Sequence, residues 1–329
     1  MISKQPISVL TSSLVLALAG SVQAAPTVEA PMPDFTLFAS MGVLDVEDKD
    51  FDPEAFELEF GVKGLIKADG FKMLYEFVAD VSDAVNSDDT NGVEGEDDIH
   101  VKEARLIFPT RYGAFVLAPR SSSGVYGDMY RNINLFEYNE THNGGVAVTG
   151  SALFGQSAEG QDVLAYKTPV WNNLYAVVST LSLNEDNGED FDVKTARLIY
   201  DDKTFLFGIS RVLVEEKVAG KDDDYVRTAL TAGVTLDALH LGATYEINED
   251  TFNGNDFDSY GVAARYTFGK GLSTSVAYFD KDADLDAADD HGVVFQIKKQ
   301  VHPNIALWAE TGQFDVEDDN IALGVNLKF

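Results

Sequence analysis

Cysteine is absent from the 329 residues, so a disulfide framework, a zinc–thiolate site and a cysteine nucleophile are all excluded. Positive charge is scarce: 24 Lys plus Arg stand against 55 Asp plus Glu, a net −31 that repels phosphate and excludes nucleic acid as a partner. Tryptophan (two) and methionine (five) are few beside 21 Phe and 13 Tyr, a balance that favours strands over helices. The five histidines, His100, His142, His240, His291 and His302, are scattered. HExxH, GxSxG, GxGxxG and P-loop motifs are missing, and no Ser–His pair sits on neighbouring outward strand positions, so nothing suggests an enzyme. After the N-terminus no segment approaches the ~18–20 unbroken apolar residues of a spanning helix, which excludes a helical membrane protein. A membrane barrel is not excluded, because its alternating strands average out in any hydropathy window.

What is present begins with an export signal. Lys4, an apolar stretch from Val9 to Ala19, and Val22-Gln23-Ala24 before Ala25 match a signal peptide over residues 1–24, cleaved after Ala24. Residues 25–329 would then form the mature chain, 305 residues near −32.

The remainder alternates. In Ile321 to Phe329 every odd position is large and apolar, and the even ones are Ala, Gly, Asn and Lys. The pattern predicts sixteen strands, at about 34–44, 55–67, 71–79, 99–108, 113–120, 161–168, 174–183, 192–201, 204–214, 225–235, 239–247, 257–268, 272–280, 290–299, 304–313 and 320–329. Their connections alternate too. One set is short and rich in Gly, Asn, Asp and Pro, such as Asp69-Gly70, Asp202-Lys203 and Gly269-Lys270-Gly271. The other set is long and acidic: leaving aside the third loop, seven loops of 71 residues hold 34 of the 55 carboxylates and four Lys. Strict short–long alternation puts every second hairpin end on one side. That is the asymmetry of an all-β, sixteen-stranded antiparallel transmembrane β-barrel with short periplasmic turns and long outer loops. A secreted β-sandwich would also alternate, with its apolar face inward, but leaves the loop asymmetry unexplained. Phe35, Phe71, Phe108, Tyr200, Phe205, Phe268 and Phe329 all fall at short-turn ends, where an interfacial girdle belongs.

At these residues the chain resembles the general bacterial (Gram-negative, trimeric) outer-membrane porin family. Phe60-Gly61-Val62-Lys63-Gly64 is similar to the family's early FGLKG strand, and Asp162 to Pro169 to its NSxRYxSP strand before a periplasmic turn. The terminal Phe329 is similar to the aromatic signal read by the outer-membrane insertion machinery. Departures occur: Phe35-Thr36-Leu37-Phe38-Ala39 replaces a tLYG strand, Ala118-Pro119-Arg120-Ser121 stands where Gly-Arg-Gln enters the third loop, and Ala165 replaces an inward Arg. The resemblance implies a barrel in the outer membrane, a homotrimer, and a third loop folded into the lumen.

The third loop, residues 121–160, is the longest link and the least acidic, with Tyr126, Met129, Tyr130, Leu135, Phe136 and Tyr138. Such content suits a loop packed against something, and in a water-filled barrel the inner wall is available. It reads as a constriction; an outer loop over the trimer surface, or one contributing a short strand at Val146–Thr149, is the alternative. Folded inward, Asp128, Glu137 and Glu140 would form the acidic side of an aperture whose basic side is Lys63, Lys72, Arg105 and Arg120, with Arg265 and Lys298 as further lumen charges. Opposed charges there set a transverse field that orients dipolar solutes. The function expected is passive diffusion of ions and small hydrophilic solutes, weakly cation-selective because of the acidic outer loops, with no cofactor. The rival is a plugged or substrate-specific barrel, a receptor or a divalent-bridged surface protein. Asp48, Asp50 and Asp52, and Asp282, Asp284 and Asp286, are candidate Ca²⁺ or Mg²⁺ ligands bridging to lipopolysaccharide phosphates. Neither run is an EF-hand, since Ala287 and Val293 occupy the Gly and Glu positions, and a solvated, self-repelling loop is the other reading.

Overall fold

The computed structural model describes residues 28–47, 51–86, 99–122, 128–139, 153–155, 159–182, 191–216, 223–251, 254–316 and 318–329. The expected signal peptide lies outside them.

Sixteen strands form: β1 (Asp34–Val46), β2 (Asp52–Ala68), β3 (Phe71–Asp80), β4 (His100–Thr110), β5 (Gly113–Ser122), β6 (Glu159–Lys167), β7 (Leu174–Leu181) and β8 (Val193–Asp201). They continue as β9 (Phe205–Val214), β10 (Tyr225–Leu236), β11 (Leu239–Glu249), β12 (Phe257–Gly269), β13 (Leu272–Ala283), β14 (Asp290–His302), β15 (Ile305–Phe314) and β16 (Asn320–Lys328). Each pairs antiparallel with its sequence neighbours, and β1 pairs with β16 to close the barrel. Closure leaves no unpaired edge, which is what a hydrocarbon surrounding demands. All sixteen expected strands are present. The largest differences are three residues: at the outer ends β2 begins three before the expected 55 and β13 ends three after 280, and at the short-turn end β14 ends three after 299. At those outer ends the ladder continues through acidic residues beyond the apolar alternation, so periodicity stops before hydrogen bonding does. One helical turn, α1 (Ser82–Asn86), follows β3, and the Asn86 amide bonds both ways to the backbone of Ala55.

The short turns form because their residues tolerate left-handed backbone. Asn172 and Asn173 sit at φ 48° and 65°, Lys203 at 75° and Asp237 at 48°. These conformations match the twist of two-residue hairpins.

The apolar face of each ribbon points outward. On β14, Phe295 is 46 % exposed, while its neighbours Val294 and Gln296 are 0 % and 1 %. At the short-turn rim the outward aromatics meet across strands, Phe71 with Phe108 at 5.9 Å and Phe115 with Tyr166 at 4.9 Å. The terminal residue completes the wall: Phe329 and Leu37 exchange backbone hydrogen bonds of 2.9 and 3.0 Å. The compact core lies inside the barrel, where third-loop side chains meet the inner wall.

Candidate functional site

On the inner wall of β9 to β15 several of the positions that the third loop touches are glycines. A Cβ on Gly208 would meet the Met129 sulfur at 3.1 Å, and one on Gly261 would meet the Ile133 Cδ1 at 2.7 Å. On Gly242 it would fall on the Asn132 carbonyl. Into this seat pack Met129, Tyr130, Ile133, Leu135, Phe136, Leu153 and Phe154, all buried against Ala229, Ala263, Ala277, Phe279 and Val294. Burial of this kind contributes ~25 cal/mol per Å² of apolar surface removed from water and gives the loop a core of its own.

Polar contacts fix the register of the loop on that seat. Asp128 Oδ1 accepts the Tyr130 N–H at 2.8 Å, opening a turn in which the Tyr130 carbonyl accepts from Ile133 and Asn134. Thr244 donates to the Met129 carbonyl at 2.9 Å, and Asn132 donates to Thr231 at 3.0 Å. His240 Nε2 lies 3.1 Å from the Asn132 carbonyl. A carbonyl only accepts, so Nε2 carries the proton; in the neutral ring Nδ1 then accepts from Thr235 at 3.0 Å. Arg131 reaches Asp201 at 2.6 Å, and Arg265 donates to the Leu135 carbonyl at 2.6 Å.

The strongest anchor is Glu310. This carboxylate, nearly buried on β15, accepts the successive N–H groups of Glu137 (2.9 Å), Tyr138 (3.3 Å) and Asn139 (2.6 Å). The side-chain amides of Asn139 and Gln296 donate to it at 2.9 Å each. The returning segment is held the same way: Gly155 donates to buried Glu246 at 2.6 Å, its carbonyl accepts from Arg227, and Ser259 donates to the Leu153 carbonyl.

The sequence-derived residues distribute as follows. Glu137 is in the lumen, but its carboxylate pairs with Lys298 and accepts from Asn326, on the same wall as the loop rather than across from it. Arg265 stands beside it, so the two charges set apart as further lumen charges are the ones nearest the acid. Asp128 lies within electrostatic reach of Arg197. Glu140 lies outside the described residues. On the facing wall, Arg105 is engaged by Glu76 and, at 3.1 Å, by Glu103. Lys63 lies opposite Glu76 in register, Lys72 opposite Lys67, and Arg120 opposite Gln161, all on the lumen side. Local pairing within one wall thus absorbs charges that the sequence alone suggested for a field across the aperture. Glu310, Glu246, Arg227 and the glycine seat escaped the sequence reading. Their signal is parity: a glutamate or glycine at a lumen position of an otherwise small-residue strand.

Asp48 and Asp50 lie outside the described residues. Among the described residues the grouping with metal-like spacing is Glu57, Glu59 and Asp80, not Asp52, Asp282, Asp284 or Asp286. That cluster is occupied by a side chain, since the Lys102 ammonium lies 2.6, 2.7 and 3.8 Å from the three carboxylates.

The closed barrel is similar to several solved structures. An anion-selective porin from Comamonas acidovorans matches with a TM-score of 0.75 at 10 % identity, over 92 % of this chain and 100 % of its own. OmpF of Salmonella typhi, in complex with daunomycin, gives 0.71 at 15 % over 90 % and 97 % of the two chains. The trimer form of OmpT, an outer-membrane protein of Vibrio cholerae, gives 0.65 at 16 % over 93 % and 100 %. At these identities the likeness establishes the fold. Among curated proteins none matches the chain by sequence. The Gram-negative porin family matches residues 11–319, nearly the full length, and to that family, with its place in the outer membrane, this chain belongs.

Proposed function

We propose that the protein is a homotrimeric diffusion channel for ions and small hydrophilic solutes, with a weak preference for cations. The observation that carries this reading is the third loop, pinned inside the barrel by Glu310 and Glu246, so that water and solutes pass between it and the wall of β2 to β6. A loop anchored at both its outward and returning halves acts as a fixed size filter, not a swinging gate. Size exclusion comes from the loop's backbone position, and charge filtering from Lys63, Arg105, Glu76 and Glu103 on the facing wall. The cation preference rests on the outer loops: a net −31, concentrated at the long-loop end, enriches cations at the mouth. Export is by removal of residues 1–24, and Phe329 addresses the chain to the insertion machinery. Divalent cations gathered by Asp282, Asp284 and Asp286 bridge them to lipopolysaccharide phosphate.

The test is electrical. Purified protein in a planar bilayer gives ohmic steps in multiples of three and a reversal potential of cation sign in a salt gradient. A silent bilayer would support the rival, a barrel plugged by its own loops.

A further inference from the structure

The lumen wall of β2 to β6 carries a feature that a hydrophilic pore does not require. Register sets Leu65 opposite Leu74, Leu74 opposite Ile107, Ile107 opposite Val116, and Val116 opposite Ala165. Leu65 lies two residues from Lys63, Leu74 two from Glu76, and Ile107 two from Arg105, so all share the inward face. With strands ~4.8 Å apart the row is about 19 Å long. Leu74 is 39 % exposed, Leu65 and Ile107 are half-buried, and Val116, at 5 %, closes the row. Lipid does not account for it, because the same strands already present Phe60, Phe77 and Leu117 outward.

Its height and its flanks matter. Leu65, Leu74, Ile107 and Val116 each stand three residues from the short-turn end of their strand. The loop tip descends to that half as well, since Asn132 bonds His240, one residue into β11. Charge brackets the row: Lys63 lies one pleat repeat toward the outer end, and Lys67 and Lys72, opposite each other, one repeat toward the short turns. Unlike Arg105, these three exposed ammonium groups have no side-chain partner among the described residues. An apolar surface open to water and edged by three ammonium groups that form no ion pair among the described residues, with Asp34 and Glu76 opposite Lys63 and Glu29 opposite Lys67 in register, fits one kind of solute.

We propose that the row is a contact strip for small amphipathic monoanions, carboxylates with a compact hydrocarbon body. The body lies on Leu65, Leu74 and Ile107, and the carboxylate is held by Lys67 and Lys72. This rests on the channel reading above and adds a solute class to it.

The probe is 3-phenylpropionate, compared with acetate (the head without the body) and 3-phenylpropylamine (the body with the opposite charge). In reconstituted channels 3-phenylpropionate lowers the open-channel current saturably, at a half-blocking concentration about tenfold below either comparator. L65N/L74N and K67Q/K72Q each raise that concentration about tenfold, whereas L65M/L74M keeps it near the native value. Heat-modifiable gel mobility verifies that each variant is folded. Equal block by the amine, or native block in L65N/L74N, overturns the proposal. If the native protein gives no conductance, the channel reading falls. Calorimetric titration of 3-phenylpropionate into detergent-solubilised protein then decides the strip alone: binding lost in L65N/L74N sustains it, and equal or absent binding ends it.

Discussion

At the scale of single residues, one carboxylate does more for the third loop than its apolar contacts do for register. Glu310 accepts five hydrogen bonds, three of them from consecutive backbone N–H groups. Hydrogen bonds to a buried charge contribute about 1.5–3 kcal/mol each, and orphaning a buried donor costs ~1–3 kcal/mol. Glu310→Gln keeps one acceptor oxygen but turns an amide toward the loop donors, so local opening becomes easier by about 2–4 kcal/mol. Trypsin gives a clean readout, because Arg131 is the one basic residue between 121 and 160. The native loop stays intact under conditions where E310Q is cut at Arg131, and E310A is cut faster. Native resistance in E310A would mean that the apolar seat alone holds the loop. Charge works at the same scale. Lys298→Gln leaves Glu137 facing only Asn326 and Arg265, which removes a positive charge beside the loop. The cation-to-anion permeability ratio then rises about twofold, and Glu137→Gln lowers it, as read by reversal potentials in one salt gradient.

At the scale of elements, the strands and the loop were not equally legible, and the reason is chemical. Lipid demands a large apolar residue at every outward position, so Phe295 and Ile297, or Leu323 and Val325, announce their strands by period alone. The lumen makes no such demand. Gly242 and Ala263, which oppose each other in register, look like filler in the alternation yet form the floor on which Asn132 and Ile133 lie. Only the facing surface gives them meaning. The apolar content of residues 121–160 did predict a packed loop, but not that Glu137 would turn to Lys298, because sequence carries no information on which wall the loop chooses. Gly242→Val tests the floor: its side chain collides with the Asn132 carbonyl, overpacking that costs about 1–3 kcal/mol. The expected result is a barrel still heat-modifiable but open to trypsin at Arg131, and an uncut loop would show that the seat yields. The short turns carry a milder pH dependence. The Phe205 N–H, and after it the Tyr200 hydroxyl, hold the Asp202 carboxyl below the usual carboxylate range. A depressed folded value means the turn gains support above the unfolded value of ~4 and loses it as pH falls below that. Asp202→Asn therefore slows refolding into detergent at pH 7, and its difference from the native rate narrows as pH falls below ~4.

At the scale of the whole molecule, charge is sorted along the barrel axis. The long-loop end holds the acidic runs, including Asp315, Asp318 and Asp319 before β16, whereas at the short-turn end Lys67, Lys72, Arg111, Lys203, Lys270 and Lys299 roughly balance Glu29, Asp34, Asp69, Asp201, Asp202 and Asp237. Such an axis gives the two mouths different ion atmospheres. On the proposed reading the outer mouth concentrates cations over a distance set by salt, ~10 Å at 0.1 M and ~3 Å at 1 M. Charges at the rim act only while their field reaches the channel axis. By contrast, the paired charges inside, Lys298 with Glu137 and Arg105 with Glu76 and Glu103, act at contact distance and are screened little. The two sources of selectivity therefore separate by ionic strength. Between 0.1 and 1 M potassium chloride the cation-to-anion permeability ratio should fall toward unity by about two- to threefold, with the residual at 1 M set by the lumen. Adding salt to the outer side alone should reproduce most of the fall, while the same addition on the short-turn side should not. A ratio independent of salt, or equally sensitive from both sides, would place the selectivity filter wholly inside the barrel and leave the acidic loops without a part in it.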